Sequence, residues 1–206
     1  MRILVASSNP GKLREYQALA ASAPALPGKH DSAPQIALEL LPEFENLPAF
    51  AEDAPTFTEN AAGKALHYSR FAALPVIADD SGLCVEALGG APGVHSARYA
   101  GDGAPNAERI ARLLDVMRGI HGSDARRAKF ICVLAMAQAG RAIAVVSADV
   151  HGTILEAPRG TGGFGYDPLF FYARLGKTFA ELTPEEKNPH SHRGHAFARL
   201  LAFLAA

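Results

Sequence analysis

The chain has 206 residues, 49% of them hydrophobic, with 20 basic and 21 acidic side chains and a formal net charge of −1. That size and apolar content suit a single α/β domain over residues 1–206 with a sizeable core. The balanced charge argues against a nucleic-acid or anionic-membrane surface, and no apolar run reaches the roughly 18 residues of a spanning helix. In chain order, Ile3–Ala6 reads as a buried strand, Ser7–Lys12 as a turn, and about Lys12–Ala21 as a helix. The opening apolar run is too short for a signal peptide, so a cytoplasmic location is expected. Ser22–Gln35, rich in Ala, Pro and Ser, reads as a surface loop, followed by a strand over Ile36–Leu41 and an acidic, irregular stretch over Pro42–Pro55. Thr56 and Glu59, three apart, form a capping-box pattern that opens a helix to about Ala73, with small residues Ala61, Ala65, Ser69 and Ala72 near one another on it. Val76–Ala78 is a strand, Leu88–Pro105 a Gly- and Pro-dense ordered loop, and Asn106 starts a helix with Ile110, Leu113, Leu114 and Met117 on its apolar face. Phe130–Ala137 and Ala142–Val150 read as strands joined by a hairpin at Ala139-Gly140. Further strands cover about Gly152–Glu156 and Leu169–Phe171, and a last helix starts near His195. The early alternation of strand and helix, interrupted by a hairpin, predicts a mixed sheet with helices on both faces.

The chemistry concentrates at a few points. Ala78-Asp79-Asp80-Ser81-Gly82 places two carboxylates at the carboxyl end of a buried strand, where α/β proteins bind ligands. Alternation sends the two side chains in opposite directions, so that one can face a ligand while the other anchors the turn; the alternative is a solvated turn. The first strand–turn–helix unit is a candidate anion site through helix-start N–H groups and Lys12, although it lacks the spacing of a P-loop; an exposed Asn-Pro-Gly turn is the alternative. Glu43, Glu45, Glu52 and Asp53, with Asp79 and Asp80, supply oxygens for Mg²⁺, which takes one or two carboxylates plus substrate phosphates. Asn60 and Lys64, four apart, share one helix face.

Gly160-Thr161-Gly162-Gly163-Phe164-Gly165 matches G-x-G-x-x-G in form only, because no clear strand precedes it and no helix follows. Its glycines suit close approach of the backbone to a flat ligand, with Phe164 or Tyr166 available to stack. Lys187, His192 and Arg193, before the last helix, are candidates to hold a phosphate or a carbonyl. His190, His192 and His195 have no second ligand cluster to complete a zinc site. Cys84 and Cys132 sit in apolar segments without metal-ligand spacing and read as reduced core residues. Magnesium, lysines, a glycine loop and stacking aromatics together describe nucleotide phosphate chemistry.

Six motifs occur in order: Ser7-x-Asn9-x-x-Lys12, Thr56-Phe57-x-Glu59-Asn60-Ala61-x-x-Lys64-Ala65, Ala78-Asp79-Asp80-Ser81-Gly82-Leu83, Leu88-Gly89-Gly90-Ala91-Pro92-Gly93-Val94-x-Ser96-Ala97-Arg98-Tyr99, Gly160–Pro168 and Ser191-His192-Arg193-Gly194. Over nearly its whole length the chain resembles the Ham1 family of inosine/xanthosine triphosphate pyrophosphatases. The resemblance implies an elongated mixed β-sheet flanked by helices, in two lobes with a nucleotide cleft between them, and a homodimer. It implies Mg²⁺-dependent hydrolysis of dITP, ITP and XTP to the monophosphate and pyrophosphate. By motif, Ser7, Ser8, Asn9, Pro10, Gly11 and Lys12 should grip the triphosphate, with Lys64 also at the phosphates. Asp80 should be the general base and a metal carboxylate, Ser81 should contact substrate, and Phe164, Gly165, Tyr166 and Asp167 should hold base and sugar. Lys187, His192 and Arg193 should read the purine. Glu52 best matches the second metal carboxylate, with Glu43 as a rival. Two other readings stay open: a nucleotide-binding regulatory module that does not hydrolyse, and a pyrophosphatase for modified pyrimidines.

Overall fold

The computed structural model describes residues 1–22 and 36–206, so the loop expected over Ser22–Gln35 lies, beyond Ser22, outside the described residues. The strands are β1 (Arg2–Val5), β2 (Ala37–Leu40), β3 (Val76–Val85), β4 (Arg127–Gln138), β5 (Arg141–Ile154), β6 (Phe170–Tyr172) and β7 (Lys177–Thr178). The helices are α1 (Pro10–Ala21), α2 (Phe57–Tyr68), α3 (Asn106–Val116), α4 (Pro184–Lys187) and α5 (His192–Ala205). The strands form one seven-stranded sheet in the order β2-β1-β3-β4-β5-β6-β7. β1 pairs in parallel with both β2 and β3, whereas β6 pairs antiparallel with β5 and β7. The sheet is therefore mixed, as the order of elements predicts.

Several boundaries differ from the sequence reading: α2 ends at Tyr68 rather than near Ala73, β4 starts at Arg127 rather than Phe130, and three further differences concern β3, β5 and α5. First, Asp79 and Asp80 lie inside β3, which runs through Val85 instead of ending at Ala78. Both carboxylates have polar partners, so the strand can carry them in a buried position without breaking into a turn. Second, β5 is one strand of 14 residues that passes through Gly152. A Cβ at Gly152 would lie 2.5 Å from the Phe171 carbonyl oxygen and 2.7 Å from Phe170 Cζ, so this glycine lets β6 approach closely rather than ending the strand. Third, α5 begins at His192, about a turn earlier than the expected start near His195, which puts Arg193 in its first turn. The hairpin is as expected: Ala139 and Gly140 both have positive φ, at 50° and 75°.

The chain divides into two compact units. The first comprises Met1–Asp80, Cys132–Ala148 and Arg193–Ala206, and its core includes Ile3, Val5, Tyr16, Ile77, Leu134, Met136, Phe197 and Leu200. The second comprises Ser81–Ile131 and Asp149–His192, with Leu83, Leu113, Phe130, Tyr166, Phe170 and Phe179 in its core. In this second unit the Arg126 guanidinium is buried and donates to the carbonyls of Ile120, Ile154 and Leu155, at 2.7, 2.7 and 2.9 Å. A cation there satisfies carbonyls at the end of β5 and in the turn that follows α3.

Candidate active site

The turn from β1 into α1 is built around Asn9, the N-cap of α1. Its Oδ1 accepts from the N–H groups of Gly11 at 2.9 Å and Lys12 at 3.3 Å, and Pro10 occupies the first helical position. Ser7 Oγ accepts from the Asn9 N–H at 3.2 Å. Ser8, Asn9 and Pro10 are exposed, whereas Gly11 is buried. Asn9 thus occupies the first-turn N–H groups of Gly11 and Lys12 that the sequence reading assigns to an anion. What the turn offers an anion is the Lys12 side chain and the positive end of the helix dipole.

Lys12 Nζ lies 3.1 Å from Asp79 Oδ1, and Arg193 Nε lies 3.5 Å from Asp79 Oδ2. Arg193 Nη1 also lies 2.9 Å from Glu15 Oε2, so a guanidinium from α5 ties α1 to β3. From α2, Lys64 Nζ donates to the Asp79 carbonyl at 3.2 Å and pairs with Glu52 Oε1 at 2.6 Å. One turn back on the same face, Asn60 Nδ2 donates to Asp80 Oδ2 at 3.0 Å. The first unit therefore gathers Lys12, Lys64, Asp79, Asp80, Glu52 and Arg193 from five segments of chain.

The two adjacent aspartates titrate in opposite directions. Burial pushes the Asp79 carboxyl up, but Lys12, Arg193 and Lys64 together outweigh it and hold the group at about 2. Burial also pushes Asp80 up, and there it wins: Lys12, the Asn60 hydrogen bond and Lys64 offset it only partly, and Glu52 adds like-charge repulsion. Arg193 is disfavoured as a cation by burial, yet Glu15 and Asp79 raise its pKa above the ordinary value. Next to this cluster, Tyr16 Oη and Cys132 Sγ are 3.5 Å apart, and burial, with Asp79 second, pushes the Cys132 thiol up to about 12. Cys132 is an inert core thiol.

The donor set suits a hard divalent cation. Asp80 is a desolvated carboxylate and Glu52 is a second one whose charge it feels, a repulsion that a bound Mg²⁺ would relieve. Among the described residues no three His, Cys, Asp or Glu side chains cluster as a self-sufficient metal cage. Glu43, the rival carboxylate, instead accepts from Asn46 Nδ2 at 2.8 Å within its own turn, and Asp53 is exposed.

The second unit holds a separate group. Lys187 Nζ lies 2.7 Å from Asp167 Oδ2, both almost fully buried, and the Phe164 N–H donates to the same oxygen at 2.8 Å. Lys187 Nζ also lies 5.3 Å from the Phe164 ring centre. His192 stacks on Phe130 with centres 4.7 Å apart and planes 10° off parallel. Of the two loop aromatics, Phe164 is half-buried, whereas Tyr166 is a core residue whose hydroxyl donates to the Ser96 carbonyl at 3.0 Å. Burial pushes the Tyr166 phenol up. Gly165 and Ser81 are half-buried. Arg193 belongs to the first unit, where its guanidinium sits on Asp79 and Glu15, whereas Lys187 and His192 belong to the second.

Asp79 is undervalued in the sequence reading, which offers both aspartates as oxygens for Mg²⁺ but gives a catalytic role only to Asp80. Glu15 was missed altogether, although its position three residues after Lys12 on α1 puts both on one helix face.

A model of the Ham1 family matches residues 3–203 of the chain. A dITP/XTP pyrophosphatase of Geobacillus kaustophilus is 50% identical over 198 residues, covering 96% of this chain and 91% of that protein. A dITP/XTP pyrophosphatase of Thermus thermophilus is 46% identical over 202 residues, covering 98% and 90%. The structure of a HAM1 protein from Coxiella burnetii is similar with a TM-score of 0.82 at 40% identity, covering 99% of this chain and 98% of that one. The Staphylococcus aureus Ham1 protein gives a TM-score of 0.81 at 35% identity, with 99% and 98% covered.

Proposed function

The chain belongs to the Ham1 family, and from that premise we propose that it hydrolyses non-canonical purine nucleoside triphosphates, dITP, ITP and XTP, to the monophosphate and pyrophosphate, clearing them from the nucleotide pool. The observation that carries this reading is the first unit's charge cluster, in which Lys12 and Lys64 converge on Asp79 while the neighbouring Asp80 is held as a weaker acid. Cations to bind a triphosphate and a carboxylate basic enough to take a proton then stand side by side.

In this mechanism Asp79 is not the base. Held at about 2, it is a fixed anion that positions Lys12 and Arg193. Asp80 accepts a proton from water as the water oxygen bonds to the α-phosphorus, and its raised pKa makes it a better base near neutral pH. The bond from the α-phosphorus to the bridging oxygen breaks, and pyrophosphate leaves with the bonding pair. Lys12 and Lys64 stabilise the charge that grows on the phosphate oxygens. Asp80 and Glu52 would hold Mg²⁺, which when bound would neutralise phosphate charge. In the second unit, Phe164 supplies an apolar face to the base, and Lys187, oriented by Asp167, donates to a 6-oxo group. A 6-amino purine would leave that donor facing another donor, at about 1–3 kcal/mol for each group left unsatisfied. The proposal extends to a cytoplasmic homodimer, as the resemblance implies; among the described residues no helix is long and apolar enough to cross a membrane.

Product analysis with ITP and ATP, with and without Mg²⁺, tests this function. Mg²⁺-dependent pyrophosphate from ITP, with ATP nearly untouched, is the expected result. Orthophosphate as the product would overturn the scissile bond, and nucleotide binding without hydrolysis would favour the regulatory module. Preference for a modified pyrimidine triphosphate would overturn the substrate class.

A further inference from the structure

Gly63 stands in the middle of α2, where glycine is a poor helix former and where its backbone has no positive φ to require it. Its reason is space. A Cβ at position 63 would lie 2.5 Å from Phe50 Cζ and 3.0 Å from Phe50 Cε2, so the Phe50 ring lies against the helix where a side chain would otherwise be. Phe50 belongs to the irregular stretch that runs from β2 to α2, and that stretch is tied to α2 at several points. His67 Nε2 lies 2.7 Å from the Pro48 carbonyl oxygen, the Phe50 N–H donates to Tyr68 Oη at 3.2 Å, and the Phe50 and His67 rings are 5.8 Å apart. Beyond it, Ala54 exchanges two hydrogen bonds with the Asn60 side chain, at 3.0 and 3.3 Å, and the same Asn60 amide reaches Asp80. Glu52 lies between these two anchors, with its carboxylate on Lys64.

We propose that the Phe50–Gly63 contact is a positioning device: the ring seated on the glycine holds residues 48–54 against α2 and so sets where the Glu52 carboxylate stands relative to Asp80. This rests on the reading of Glu52 as a cation carboxylate given above. Phe50 and Gly63 are positioning residues and touch neither substrate nor cation. Adding a methyl at position 63 pushes on the far end of an aromatic side chain rather than on backbone, so the ring and its segment move while the helix, which favours alanine, stays formed.

The test measures Mn²⁺ binding to the whole protein by electron paramagnetic resonance, with Mn²⁺ as the probe and no turnover involved. Glu52→Gln sets the scale, with at least tenfold weaker binding expected. Gly63→Ala is expected to weaken Mn²⁺ binding about tenfold and to speed hydrogen exchange at the Phe50 and Ala54 amides, with α2 amides unchanged. It should leave the affinity for ITP in EDTA within about twofold, because the triphosphate cations Lys12 and Lys64 are carried by α1 and α2 and not by this segment. Phe50→Ala is expected to weaken Mn²⁺ binding similarly, and adding Gly63→Ala to it should weaken it no further, because the methyl then has no ring to displace. Wild-type Mn²⁺ affinity in Gly63→Ala, or equal weakening by that substitution with and without Phe50, would overturn the positioning role. Unchanged Mn²⁺ affinity in Glu52→Gln would instead remove Glu52 as a cation carboxylate, and the positioning proposal would fall with it.

Discussion

Asp79 and Asp80 are chemically identical neighbours on one strand, yet they are poised for different tasks. The difference lies in their partners: Asp79 has Lys12 and Arg193 on its oxygens, whereas Asp80 has a neutral amide from Asn60. Because the folded pKa of Asp80 lies above its unfolded value, the ionised group costs stability at neutral pH, and that cost vanishes as pH falls below the unfolded value of 3.8. Asp80→Asn is therefore expected to cut turnover by at least about 10²-fold while raising the melting temperature at pH 7, the gain fading as pH approaches 3. Kinetics together with melts at several pH values check both parts, and a variant with normal turnover would remove Asp80 as the base. Asp79 has the opposite sign. Its folded pKa of about 2 lies below 3.8, so its contribution of roughly 2 kcal/mol is fully present above the unfolded value and is lost as pH falls toward 2. Asp79→Asn is expected to cost about 3–5 kcal/mol at pH 7, because it leaves buried cations short of a partner, and to flatten the acid limb of stability. Urea melts between pH 2 and 7 measure this. The Asp-Asp pair was legible in the sequence as a site, but the split between anchor and base was not, because it depends on which side chains other elements bring to each oxygen.

At the scale of elements, local signals and tertiary demands compete. The N-cap at Asn9 and the pairing of Thr56 with Glu59 follow from short-range chemistry. Thr56 Oγ1 accepts from the Glu59 N–H at 3.2 Å and its hydroxyl donates to the Glu59 carboxylate at 2.7 Å. Strand ends were less legible. β3 and β5 continue through Asp79-Asp80 and Gly152 because neighbouring elements supply partners or need room, and neither condition is visible locally. The glycine loop shows the same dependence. A Cβ at Gly160, where φ is 81°, would lie 2.5 Å from the Ala180 carbonyl carbon and oxygen, which are backbone atoms that cannot swing aside. Gly160→Ala is expected to cost about 1–3 kcal/mol or more and, by shifting the loop that carries Phe164, to raise KM for ITP more than it lowers kcat. Melting curves and steady-state kinetics check this, and a wild-type melting temperature would show that the loop can move off Ala180 freely.

At the scale of the molecule, each unit has its own apolar core, and large aromatic side chains fill both: Phe197 at 2% exposure in the first and Phe170 at 0% in the second. Phe197→Ala and Phe170→Ala are each expected to cost about 3–5 kcal/mol, read as a fall in the urea midpoint. A cost under about 1 kcal/mol at either site would mean that its core collapses around the gap. The sequence by itself determined the class of fold, the order of the longer strands and helices though not β7, α4 or the continuity of β5, and the motif set that identifies the family, because apolar periodicity, turn residues and capping are encoded within a few residues of one another. It also determined which residue types carry the chemistry. Only the tertiary structure decided how those residues are grouped. Arg193, next to His192 in the chain, lies on Asp79 and Glu15. Tyr166 is buried as a core residue while Phe164 is left half-buried, and Glu52 rather than Glu43 reaches Lys64. Phe50 lies on Gly63 across a gap of 13 positions in the chain. The physical reason is the same in each case: burial, ion pairing and steric fit depend on distances between segments far apart in sequence, and a single sequence records the participants in those contacts without recording the contacts.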